Sequence, residues 1–391
     1  MKSNKKLFFF LGWLGMVLYF TQRWIFGPLI PSLMEAFGAD RTALGIVGAG
    51  SLWGYMFTPI IAGMLSDRFG RRYTVLFGIF GFSLLTVVSG MANSTGQLFL
   101  FRLVTGMTEA FFFIPLIAFT MELFPERPGF YVTFMSSGTS MGWFTGPALA
   151  GWLLDLTGNW RVPFILTGLA GIGIALLLMF FWPEEKKEIH TGGSFFDRSI
   201  MQRSSITMLV LVSFASMFQI SAEFGFAMWY PVFLKTEIGT SASVAGVIAG
   251  VWGVGQFIGR PTMGWASDRL GYRRVGVIGG IVMGLSLILV LRAENPFLRG
   301  FLTLFTGFVG SAVMGTLWTF TGLTFSRARG LALGIMTTFS YAVSSLSPIT
   351  IGYIGDRCRV STGLMAICVP AVFLACAIFA STNFIKKDNQ R

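Results

Sequence analysis

The stretch "GMLSDRFGRR", residues 63–72, returns as "GWASDRLGYRR", residues 264–274, with its leading glycine, its Asp-Arg pair and its next glycine 201 positions further on. The same offset carries Gly38 onto Gly239, Gly106 onto Gly307, Gly129 onto Gly330, Pro147 onto Pro348 and Asp155 onto Asp356. A register held without gaps over more than ~100 residues marks a duplicated unit. Each copy has a local reading as well. Gly63 and Gly264 would let backbones approach where a helix ends, and the following arginines would stay in water. Asp67-Arg68 and Asp268-Arg269 would bridge to a neighbouring helix end and act as gates.

What is duplicated follows from composition. The 391 residues are 54% hydrophobic and only 12% charged, too few charges to cover soluble domains of this total length. Apolar runs of about 20 residues, enough to cross about 30 Å of hydrocarbon, recur throughout. Twelve spans are expected, near 7–30, 43–66, 73–92, 97–122, 130–154, 162–182, 205–234, 242–266, 274–292, 298–325, 331–354 and 361–384. The one long hydrophilic stretch, "WPEEKKEIHTGGSFFDRSIMQRS", separates two sets of six. The expected fold is an all-α membrane protein of 12 transmembrane helices in two pseudo-symmetric six-helix bundles. Residues 1–182 form one bundle, 183–204 a cytoplasmic linker and 205–391 the other.

The net charge of +12 suggests nucleic acid until its distribution is read. Roughly 19 of the 29 Lys and Arg fall between spans on one side and about 7 on the other, the positive-inside pattern, which puts both termini in the cytoplasm. The partner is a lipid bilayer, with no nucleic acid. The opening "MKSNKK" leads into an apolar run with no small-residue cleavage site, as in a retained helix. His190 sits in the linker, and Cys358, Cys368 and Cys376 lie at or beside the last span, so neither a metal site nor a disulfide framework is implied. No cofactor is expected. A nucleophile–base constellation and a G-x-x-x-x-G-K-[ST] phosphate loop are both missing, which disfavours an enzyme and ATP as the driving force.

Five ionisable residues remain deep inside spans: Arg23, Arg102, Glu109, Glu223 and Arg260. A cation at the centre of a span costs about 2.5–3.5 kcal/mol on insertion scales, so such residues face the bundle interior and pair. Arg23 on span 1 and Glu223 on span 7 lie at nearly equivalent depth in the two repeats with opposite signs, and a pair between them would offset part of the burial cost of both. On span 4, Arg102 and Glu109 are two turns apart and share a face, with Gly106 between them for close packing. A glutamate pulled between desolvation and a nearby arginine is suited to carry a proton. Three interior arginines against two glutamates favour an anionic solute, since the guanidinium fork matches a carboxylate.

Repeat, motif and linker together resemble the major facilitator superfamily, over essentially the whole chain. That resemblance implies twelve helices, alternating access and secondary transport. Arg23 with the run Arg102, Gly106, Glu109, Ala110 and Pro115 is most similar to the anion:cation symporter family, which includes sialin and bacterial sugar-acid transporters. There the first-helix arginine holds the substrate carboxylate, the fourth-helix glutamate carries the proton, and a polar contact falls near Thr139. The family commonly has Asp-Arg where this chain has Gln22-Arg23, so one proton site is missing. "GRPTMGWASDRLG" around Arg260 is similar to span 8 of oxalate/formate and monocarboxylate transporters, where the arginine binds the carboxylate. The expected function is proton-coupled uptake of a small organic anion, such as a monocarboxylate or sugar acid, at an inner cell membrane. Arg23, Arg260, Tyr19, Thr139 and Tyr341 would bind it, and Glu109, Glu223 and Arg102 would couple protons. Two alternatives stand beside it: "GWFTGPALAG", residues 142–151, resembles span 5 of proton-driven efflux antiporters, and the span 4 pattern also occurs in spinster-type lysolipid transporters.

Overall fold

A computed structural model describes residues 4–183, 203–325 and 329–388. His190 and nearly all of the 183–204 linker lie outside them. The described residues form α-helices α1 (Asn4–Trp24), α2 (Phe26–Phe37), α3 (Arg41–Phe57), α4 (Pro59–Phe69), α5 (Arg71–Ser89), α6 (Thr95–Leu123), α7 (Pro128–Thr157) and α8 (Arg161–Phe180). The second set is α9 (Arg203–Thr236), α10 (Ala242–Leu270), α11 (Tyr272–Arg292), α12 (Pro296–Thr324), α13 (Arg329–Ser344), α14 (Leu346–Arg357) and α15 (Val360–Asp388). Three expected spans arrive in two pieces each, as α1–α2, α3–α4 and α13–α14. Joining them leaves one helical stretch on each expected span. Among the described residues, eight helices are long and apolar enough to cross a bilayer alone, nine with the bent α3–α4 pair counted as one.

The breaks follow proline chemistry. Pro28 removes the N–H that would reach the carbonyl of Trp24, where α1 ends, and Pro348 does the same to Ser344, where α13 ends. Pro59 sits at the start of α4, where its missing donor costs nothing, and α3 and α4 meet there at 44°. Other helices begin on polar caps. Asp40 accepts from the Ala43 amide at 2.7 Å, Ser94 from Gln97 at 3.2 Å, and Asn295 from Phe297 and Leu298 beside Pro296.

The repeat seen in the sequence is repeated in geometry. Gly38 and Gly239 hold φ of 58° and 79°, and Gly70 and Gly271 hold 96° and 92°, values that L side chains rarely adopt. Gly106 packs against the Ser51 backbone, and Gly307 against Trp252; Gly54 packs against the Leu103 carbonyl, and Gly255 against Leu304. All four partners are 201 apart. Each copy therefore joins its second and fourth spans through glycines where a β-carbon would strike backbone.

Two compact units result: Met1–His190 with Tyr230–Gly250, and Thr191–Trp229 with Val251–Arg391. The first takes in the end of α9 and the beginning of α10, a segment that the division at the linker had assigned to the second half. The cause is local. Asp155 accepts from the amides of Ala242 at 3.2 Å and Ser243 at 2.7 Å, while Gly151, Gly246 and Gly250 bring α10 against α7 at Ala242, Pro147 and Phe144. The first unit's core joins Phe8, Met16 and Tyr19 of α1 to Ile79 and Phe82 of α5, Phe112 and Leu116 of α6, and Leu178 of α8. In the second, Ala215, Val313, Leu317 and Phe379 cluster. Large apolar side chains such as Phe77, Phe180 and Leu289 stay exposed, as a hydrocarbon solvent allows.

Candidate functional site

Arg23 stands in the last turn of α1, one residue before the break, where a cation favours the negative end of the helix dipole. Its Nη2 donates to Oε2 of Glu109, halfway along α6. Both side chains are almost fully withdrawn from the surface, at 3% and 2% exposure. Burying either charge alone would be costly, and their ionic hydrogen bond offsets that cost. Rings surround the guanidinium: Tyr19 at 5.3 Å, Phe20 at 5.6 Å and Tyr55 at 5.2 Å from its central carbon.

Arg102, seven residues before Glu109, is the third charge of this cluster. Its Nη2 reaches the Arg23 carbonyl at 3.5 Å and Ser51 Oγ at 3.3 Å, and its guanidinium lies 4.5 Å from the Phe26 ring. It thus covers the backbone at the α1–α2 break from the α6 side. Gly106 makes this approach possible by seating α6 on the Ser51 backbone. Thr139, on α7, is 3% exposed and donates to the Ser136 carbonyl of its own helix at 2.7 Å.

Gln22, one residue before Arg23, has a part that sequence reasoning missed. Its amide donates to the Thr167 carbonyl at 2.9 Å and to Ser83 Oγ at 3.3 Å, and its carbonyl accepts from Thr86 at 2.9 Å. One buried side chain therefore ties α1 to α5 and α8 and fixes the rotation of the turn that presents Arg23. A glutamine inside an apolar span was the available signal. Tyr55, on α3, had none.

Glu223 was expected opposite Arg23, but the ion pair formed by Arg23 is with Glu109 of its own unit. In the second unit Glu223 accepts from Gln219 Nε2 at 3.0 Å, and Arg260 donates to Gln256 Oε1 at 3.4 Å. Each charge is held by a glutamine one turn earlier on the same helix, a spacing that could have been read from the chain. Arg260 is within electrostatic reach of Glu223 and Tyr341, and the Tyr341 ring meets Phe224 edge-on at 5.6 Å. These three are half-buried, unlike the Arg23–Glu109 pair.

In the duplicated motif each aspartate meets the first residue of the following helix, and each arginine beside it lies over a ring. Asp67, near the end of α4, pairs at 2.6 Å with Arg71, the first residue of α5, across the break at Gly70, and Arg71 also reaches Glu122 at 3.1 Å. Arg68 lies over Phe69 instead, 5.5 Å from its centroid. In the second copy Asp268 accepts from the Tyr272 hydroxyl at 2.8 Å, and Arg269 lies 4.2 Å from the Trp265 ring. Tyr272 is the repeat equivalent of Arg71, so the same position serves both aspartates with different chemistry. The positive-φ turn at Gly70, and at Gly271 in the second copy, brings the first residue of the following helix back to the aspartate. A β-carbon at Gly63 or Gly264 would meet nothing within 4 Å among the described residues, so the close approach expected at these glycines is not made there.

The sequence matches the Major Facilitator Superfamily over residues 12–235 and 209–386. It is 24% identical to the cis,cis-muconate transport protein of Acinetobacter baylyi over 98% of this chain and 94% of that one. To the D-galactonate transporter of Escherichia coli O6:H1 it is 28% identical, over 87% of this chain and 81% of that one. Proteins named for multidrug resistance match as well. Among solved structures, a bacterial homologue of the human lysosomal transporter Spinster, in an inward-facing and occupied conformation, superposes with a TM-score of 0.79. At 16% identity over 98% of this chain and 96% of that one, this likeness concerns the fold. The chain belongs to the Major Facilitator Superfamily, a multi-pass membrane protein of a transporter family and not an enzyme.

Proposed function

We propose that this protein takes up a small organic anion together with protons, by alternating access across an inner cell membrane with both termini in the cytoplasm. The observation that carries the reading is the buried Arg23–Glu109 pair, an anion-binding group held in reserve by an internal carboxylate. An arriving carboxylate competes with Glu109 for the Arg23 fork, which can hold either through two parallel donors. Glu109, left without its counter-ion in an apolar surrounding, then gains a proton, so that anion and proton together leave the net charge of Arg23, Arg102 and Glu109 as it was before binding. Arg102, within electrostatic reach of both groups, sets the field in which that proton is bound. Tyr19 and Thr139 complete the anion's surroundings. Arg260, Tyr341 and Glu223 act as the second half's polar contribution to binding and coupling. Asp67 with Arg71, and Asp268 with Tyr272, brace the cytoplasmic ends of the spans and change partners as transport proceeds, with Arg68 and Arg269 beside them. The transporter names carried by relatives, for muconate and galactonate, support an organic acid as cargo.

The test is uptake into proteoliposomes from a panel of carboxylates, with and without an inward proton gradient. Glu109→Gln is expected to abolish gradient-driven accumulation while keeping counterflow exchange, and Arg23→Ala to remove anion binding. Accumulation unchanged in the first variant rejects the coupling assignment. Export of lipophilic cations in place of anion uptake would establish the efflux alternative.

A further inference from the structure

Arg23 is housed in rings and has few neighbours able to hydrogen-bond a sugar. Three aromatic faces stand 5.2–5.6 Å from the guanidinium carbon, at Tyr19, Phe20 and Tyr55. Tyr19 continues into Phe82, Phe112 and Phe113, at ring distances of 5.8, 6.2 and 6.1 Å. Threonine hydroxyls of α6 and α7 are turned onto their own helices: Thr105 donates to Phe101 at 2.7 Å, Thr108 to Thr105 at 2.8 Å and Thr139 to Ser136 at 2.7 Å.

Sequence composition sharpens the shortage. None of the six spans between residues 7 and 182 contains an Asn, Asp, His or Lys. Their two glutamines are committed, Gln97 to the Asn93 amide at the first turn of α6, and Gln22 to Ser83, Thr86 and Thr167. Around the Arg23 guanidinium itself, the ring wall of Tyr19, Phe20 and Tyr55 offers two phenols against the row of hydroxyls on a sugar acid.

Taking the anion-transport reading as given, we infer that the Arg23 site selects planar, conjugated carboxylates, aromatic or polyunsaturated, over polyhydroxylated ones. Either kind of acid gains the same ionic contact with Arg23. A flat, conjugated body gains in addition offset or edge-on contact with the tyrosine rings. A sugar acid would have to surrender water from each hydroxyl into a wall of rings, and an apolar site penalises every hydroxyl left unpaired there.

Binding to the purified full-length protein in lipid nanodiscs, followed by calorimetry with benzoate, cyclohexanecarboxylate and gluconate, tests the inference. Benzoate is expected to bind at least tenfold more tightly than gluconate and at least threefold more tightly than cyclohexanecarboxylate, which has the same charge but no flat face. Tyr55→Leu should reduce the second preference below twofold, while Tyr55→Phe keeps it and serves as the folding control. Smaller preferences in the unaltered protein, or a preference that survives Tyr55→Leu, overturn selection by rings. If gluconate binds as well as benzoate and Arg23→Ala abolishes both, anion binding stands and only the selectivity falls. If no acid of the panel binds, the anion reading itself fails, and this inference with it.

Discussion

Arg23 donates to Glu109 across the contact between α1 and α6, and neither side chain shows more than 3% of its surface. A buried pair of this kind stabilises less than its Coulomb attraction suggests, because both ions have left water. Its cost appears when one member is removed.

Glu109→Gln leaves a buried guanidinium without its counter-charge, and a loss of about 3–5 kcal/mol is expected. A carboxylate ligand can then occupy the vacated position. The variant should therefore be rescued by ligand, with a larger rise in melting temperature on adding substrate than the unaltered protein shows, and with tighter binding that no longer varies with pH. Thermal melts with and without ligand check this; equal rises in the two proteins would show that Glu109 and the substrate do not compete.

Gln22→Leu keeps the volume and removes three hydrogen bonds, leaving Ser83, Thr86 and the Thr167 carbonyl to repair themselves. Each unsatisfied buried group costs about 1–3 kcal/mol. A fall in stability together with weaker anion binding is expected, because the turn carrying Arg23 is no longer held against α5 and α8. Stability lost with affinity intact would reduce Gln22 to a packing residue.

Two kinds of glycine should separate under the same substitution. Gly106→Ala drives a β-carbon into the Ser51 backbone, which no rotamer can relieve, and overpacking of this kind costs about 1–3 kcal/mol. Gly63→Ala faces open space and improves helix propensity by up to about 1 kcal/mol, so it should fold at least as well as the parent. Chromatographic monodispersity and melting temperature are sufficient readouts. A destabilised Gly63→Ala would point to a close approach made in another conformation.

Asp155→Ala removes the acceptor for the Ala242 and Ser243 amides and should cost about 0.5–2 kcal/mol, as the loss of a helix cap does. Asp155→Asn, which keeps an acceptor oxygen, should recover part of it. Hydrogen exchange at the start of α10 is the local measure. Unchanged protection there would mean that the α7–α10 glycine contacts hold the segment without the cap.

Sequence alone determined that this is a helical membrane protein made from a duplicated six-span unit, because hydropathy and a constant 201-residue offset are linear properties. It singled out the five interior charges too, since an ion in an apolar run is visible without coordinates. Which charges meet was decided by tertiary structure. Glycines at 54 and 106 let α3 and α6 come close, Gln22 fixes the turn of α1, and the result pairs Arg23 with Glu109 inside one unit, where pattern had suggested Glu223. The same holds for Asp67, whose partner Arg71 opens the next helix, because the backbone turn at Gly70 brings the two together.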